Sequence, residues 1–212
     1  MSIANQKVVD MSETTYALDR DLREAEAMAE GLLSYLQQDR LYGSVGSGGL
    51  FGGGSMPSLT IGALLMRLRR LQALSDSLTD AQREQLRRVV AAHDSVRKEW
   101  TLRYTDRLLQ EATSRLKAMD AFFEECEDNP RTCARNYMPE TLRRTIVQDI
   151  HAALTELGAE SAELDRALRN ADGKLRRTTA PAEFVWSKAL QPAYPQSPYW
   201  WLYALPPTPE EK

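Results

Sequence analysis

Histidine, cysteine and lysine are scarce in this chain, and each scarcity removes a class of chemistry. The two cysteines cannot close a four-ligand zinc site. Neither His93 nor His151 has a glutamate three residues before it, so the Glu-x-x-His pairs of a di-iron bundle are missing and no metal site is expected. Lysine occurs 6 times against 21 arginines, with none between Lys7 and Lys98. This bias reads as compositional habit rather than phosphate recognition. No window approaches about 18 uninterrupted apolar residues, so no membrane span is expected. The first thirty residues carry Asp19, Asp21, Glu24 and Glu26 in place of an apolar leader. Cys126 and Cys133 are therefore expected to be reduced cytoplasmic thiols that pack a turn, with a disulfide as the alternative.

Catalytic and nucleotide signatures are also missing. Gly46-Ser-Gly48 is followed by Phe51 where a dinucleotide fingerprint needs its third glycine, and no lysine completes a P-loop. None of Ser44, Ser47 and Ser55 has glycine at both positions two residues away, which excludes a nucleophile elbow. A net charge of −3 gives no global reason to bind nucleic acid. Residues 58–107 are locally basic, but complementarity with an acidic first helix accounts for that within the chain.

What is present is helical periodicity. From Thr79 to Glu127 apolar or weakly polar residues recur at Leu86, Val90, His93, Val96, Trp100, Tyr104, Leu108, Ala112, Leu116, Met119, Phe123 and Cys126. The mean step is about 3.6 residues, and neither proline nor glycine interrupts it. The spacing predicts one helix of about 70 Å, opened by a capping box at Thr79 and Gln82. His93 lies on its apolar stripe and reads as a buried, satisfied histidine. A first helix is expected from Ser12 over about 28 residues, on a seam of Leu18, Leu22, Ala25, Ala29, Leu32 and Leu36. A second is expected from Leu59 to about Ser75, capped by Ser58. Asp128-Asn129-Pro130 predicts a turn reaching Met138, with Pro139 as the first residue of a helix to Leu175 weakened at Gly158. That helix is expected to return antiparallel along the long one.

Two stretches break the pattern. Residues 42–57 hold seven of the eleven glycines with Tyr42, Leu50, Phe51 and Met56 among them. The other stretch, 178–212, is rich in proline yet crowds Tyr199, Trp200, Trp201 and Tyr203 together, which proline-rich disorder does not do. Pro181 to about Leu190 suits a short helix, and at least one of Trp200 and Trp201 is expected to pack on the bundle.

The sequence thus predicts an all-α protein: an elongated antiparallel bundle of four main helices over residues 1–177, two of them very long, followed by the aromatic segment 178–212. The expected function is a non-enzymatic helical interaction protein, an adaptor or scaffold with a protein partner or a second copy of itself. Tyr199, Trp200, Trp201 and Tyr203 are its candidate partner-binding residues. The alternative is a bundle that binds a small molecule or phosphate, with catalysis as an option. There the glycine-rich loop forms the rim of the site, and Gly52, Gly53, Gly54, Ser58, Arg67 and Arg70 contact the ligand. No cofactor is expected.

Overall fold

The computed structural model describes residues 16–44 and 57–207, with the backbone alone at 127, 128 and 130–132. The protein is all-α, with helices α1 (Leu18–Gln37), α2 (Ile61–Ala73), α3 (Asp80–Glu99), α4 (Thr101–Asp128), α5 (Pro130–Glu156) and α6 (Ala162–Thr178). The C-terminal segment adds a two-residue antiparallel ladder, β1 (Ala180–Pro181) with β2 (Ala204–Leu205), in which Ala180 pairs with Leu205. No helix among the described residues is long and apolar enough to cross a membrane.

The first helix begins later than expected, because Tyr16 and Ala17 are not helical; Ser12 lies outside the described residues. Its seam is nonetheless the buried one, with Leu22, Ala25, Ala29, Leu32 and Leu36 in the core. The cap of α2 is Thr60, which accepts the Ala63 N–H, and not Ser58, which is exposed. Leu59 forms a bridge with Gly43 that ties off the base of the glycine-rich stretch. Thr79 and Gln82 do form the capping box of α3.

The single long helix of residues 79–127 is not observed. It breaks at Trp100, whose backbone (φ −113°, ψ 33°) leaves the helical region. Thr101 Oγ1 donates to the carbonyls of Arg97 and Lys98, at 2.9 and 3.0 Å, a side-chain intrusion of the kind that bends helices. The bend is sharp. His93 Nε2 lies 2.8 Å from the Tyr104 hydroxyl, whereas eleven residues of straight helix would hold their Cα atoms about 16 Å apart.

The return helix also differs. The turn is confined to Asn129, and α5 starts at Pro130 and continues past Pro139 without a break. Cys126 and Cys133 face each other across this turn and are paired in a disulfide with Cα atoms 4.8 Å apart, which corrects the expectation of free thiols and removes that argument for a reducing compartment. At its far end α5 stops at Glu156. Gly158 takes the left-handed conformation (φ +62°), and the Ala159 N–H closes back on the Leu154 carbonyl. Ser161 then caps α6, so residues 140–175 make two helices instead of one. Arg144 pairs with Asp172 and His151 with Asp165, both placed symmetrically about Gly158, which makes α5 and α6 an antiparallel hairpin.

Ion pairs and amide hydrogen bonds also fix the remaining packing. Arg67 to Glu24 and Arg70 to Asp21 run α2 antiparallel to α1. Gln82 to Asp19 and Gln85 to Glu26 run α3 parallel to it. At the start of α2, a Cβ on Gly62 would come within 2.6 to 2.8 Å of Ile146, Ile150 and Glu111, so glycine is what lets α2 approach α4 and α5.

Residues of the C-terminal segment between Phe184 and Ala204 form part of the core. In place of a helix over 181–190 there is a 3-10 segment at Lys188–Ala193. Trp201 is fully buried, its indole N–H donating to Thr145 Oγ1 at 3.0 Å, and its carbonyl accepts from the Tyr137 hydroxyl at 2.9 Å. The arginine surplus has a structural use here: guanidinium carbons lie over the rings of Trp201 (Arg144, 3.9 Å), Trp200 (Arg176, 4.0 Å) and Trp186 (Arg70, 5.2 Å).

Candidate functional site

Two places in the fold gather polar groups. The first is the N-terminus of α2, where sequence reasoning expected an external anion. The chain supplies its own: Glu111 of α4, fully buried, accepts from Thr60 Oγ1 at 2.6 Å, the Gly62 N–H at 2.8 Å and Arg115 Nε at 2.9 Å. A carboxylate there satisfies both the free N–H groups and the positive end of the helix dipole. Of the six proposed ligand residues, the described ones are not gathered around it. Arg67 and Arg70 turn toward the acids of α1, Ser58 is exposed outside the helix, and Gly52, Gly53 and Gly54 lie outside the described residues.

The second is a cleft of about 500 Å³ at the opposite end of α2, in the size range of ligand pockets. Helix α2 forms its floor with Leu65, Leu68 and Arg69. Helix α3 contributes Val90, His93, Asp94 and Arg97, and α5 contributes Asp149, Ala153 and Glu156. Pro192 and Pro195 of the C-terminal segment close one wall. Gln72, Val90 and Asp94 also border a second, mainly apolar groove of about 510 Å³, which continues past Leu86 and Ala91 between Arg83 and Arg87. The two form one trough along the flank of α3.

Electrostatics in the cleft are largely settled by internal pairs. Arg69 Nε donates to Asp149 Oδ1 at 2.6 Å, and the Tyr199 hydroxyl donates to the same oxygen at 2.9 Å. Burial raises the Asp149 carboxyl above the ordinary aspartate range, and Arg69 opposes that shift only in part. His93 is buried with both ring nitrogens engaged, Nδ1 with Asp94 at 2.9 Å and Nε2 with Tyr104 at 2.8 Å. Burial lowers the His93 pKa, so the ring is neutral at pH 7. Burial raises the Tyr104 pKa, so that hydroxyl keeps its proton and donates to Nε2, which leaves Nδ1–H for Asp94. Such an imidazole has no free nitrogen with which to act as a base. No group of three or more His, Cys, Asp or Glu among the described residues is placed to hold a metal ion.

The four aromatic partner candidates divide. Tyr199 and Trp201 are buried in the core, whereas Trp200 and Tyr203 stay partly exposed beside Arg176, bordering a small pocket of about 280 Å³. Of the polar cleft residues, sequence reasoning noted Arg69 as a cation near the glycine-rich stretch and His93 as a buried, satisfied histidine, and made neither a site residue. A signal for Asp149 existed: it lies three residues after Ile146 and four before Ala153, a charged residue inside a buried stripe. No protein-family model matches this chain, nor does any curated protein or solved structure.

Proposed function

We propose that the chain is a non-enzymatic helical interaction protein, and that the trough beside α3 receives an amphipathic helix of a protein partner. The observation that carries this reading is the one-sided packing of α3. It lies along α1 and meets α4 at the bend, while among the described residues no comparable packing joins it to α2 or α5. A slot walled by α3 and α5 over a floor of α2 is the shape a further helix fills. Its apolar positions, Leu86, Val90 and Ala91, follow the helical spacing that an amphipathic segment would match, with Arg83 and Arg87 at the edge. The engaged state of His93 supports a binding role over a catalytic one.

The test is photo-cross-linking from a benzophenone amino acid placed at Ala91, in the groove, or at Ala167, exposed on α6. The expected result is one discrete adduct from position 91, mapping to an amphipathic helical segment of another protein, and none from 167. Equal adducts at both positions, or no adduct at 91, would contradict it. A product joining two copies of this chain would assign the trough to self-association instead.

A further inference from the structure

One acceptor at the cleft lacks a donor. Asp149 lines the cleft with a side chain only 3% exposed, and both of its donors, Arg69 Nε and the Tyr199 hydroxyl, reach Oδ1. Oδ2 is buried and has no hydrogen-bond partner among the described residues. A carboxylate oxygen in that state costs free energy that a donor would recover. The charge of the lining has the matching sign. Asp94, Asp149 and Glu156 stand against Arg69 and Arg97, and each arginine is already set on one acid, Arg69 on Asp149 and Arg97 on Glu156. Asp94 is bonded only to the neutral His93 among the described residues. Helix α5 also spaces two of these acids. Asp149, Ala152, Ala153 and Glu156 fall at i, i+3, i+4 and i+7 on one helix face, and all four line the cleft. The two acidic positions are separated by two turns, about 10 Å along the axis, with only alanine methyls between them on that face. Leu65 and Leu68 of α2 supply an apolar floor.

We propose that this cleft binds a short aliphatic diamine, one ammonium on Asp149 Oδ2, the other on Glu156, and the methylene chain across Ala152 and Ala153. This goes beyond the helical partner and does not require one. The first ammonium supplies the donor that Oδ2 lacks, and its charge opposes the burial that raises the Asp149 carboxyl. At the other end the Glu156 side chain is 65% exposed and its contact with Arg97 is long, at 3.3 Å. That carboxylate exchanges Arg97 for the ligand.

Putrescine is the probe, followed by titration calorimetry on the full chain. Asp149→Asn keeps one oxygen for Arg69 and Tyr199 and turns the free acceptor into an N–H, so it should weaken putrescine binding by about tenfold. Glu156→Gln should weaken it by about threefold, and Arg97→Gln, which removes the competitor for Glu156, should tighten it by about as much. Circular dichroism checks that each variant is folded, and the two variants at the exposed rim decide the matter if Asp149→Asn is not. Butylamine, with one ammonium, should bind more weakly than putrescine and be indifferent to Glu156→Gln. No putrescine binding up to millimolar concentration would overturn the proposal, as would succinate binding in its place. Unchanged putrescine affinity in Glu156→Gln, or in a folded Asp149→Asn, would overturn it too.

Discussion

Replacing Glu111 with alanine should cost about 3–5 kcal/mol of stability, the range for removing one partner of a buried charge pair. The carboxylate is fully buried and is the common acceptor for the Thr60 hydroxyl, the Gly62 N–H and Arg115. Alanine would leave all three without it, in a place that water does not reach. The α2 N-terminus would lose its dipole partner in the same step. Glutamine keeps the volume and one acceptor oxygen but brings an amide into a ring of donors, so Glu111→Gln should fall between wild type and alanine. Urea unfolding followed by circular dichroism measures both. A loss below about 1 kcal/mol for Glu111→Ala, the size of an ordinary surface change, would mean that the carboxylate does not organise this junction.

Trp201→Ala should be as severe, at about 3–5 kcal/mol for a buried tryptophan. Its ring lies under Arg144 at 3.9 Å and meets Tyr199 edge-on at a centroid distance of 5.6 Å, so truncation opens a cavity beneath a buried guanidinium. Trp201→Phe retains most of the apolar area and loses the N–H bond to Thr145, which is worth about 1 kcal/mol. The graded series separates docking from mere proximity. If alanine and phenylalanine cost the same small amount, the C-terminal segment rests on the bundle without being part of its core.

How much of this was legible in sequence depended on the range of the interactions. Local signals read well: the Thr79–Gln82 capping box and the buried seam of α1 need only a few adjacent residues. Aromatic density outweighed proline content in the C-terminal segment, because the apolar area of Trp201 stabilises docking more than irregular backbone opposes it. The break at Trp100 was not legible. The apolar stripe continues through it in register, so periodicity gave no sign of a bend that the His93–Tyr104 hydrogen bond spans. At Gly158 the register also survives, because a hairpin returns its apolar face to the same core. There the better signal was local, a glycine able to take positive φ followed three residues later by the Ser161 cap. The two internal anion arrangements, Glu111 at α2 and Asp149 with Arg69, join residues 49 and 80 positions apart. No spacing rule reaches that far.

A partner helix can dock beside α3 only if the flank of α3 is an open trough in the protein as it stands. The most direct measurement is the alkylation rate of a cysteine placed at Ala91, with Ala112→Cys in the core as the buried reference. Ala91 is exposed and borders the trough, Ala112 is fully buried, and the native cysteines are already paired. An open trough predicts labelling of Ala91→Cys within about tenfold of an unstructured peptide, with Ala112→Cys protected by orders of magnitude until the protein unfolds. Equal protection at both positions would contradict the account, since the trough would then already be filled and the partner site lost with it.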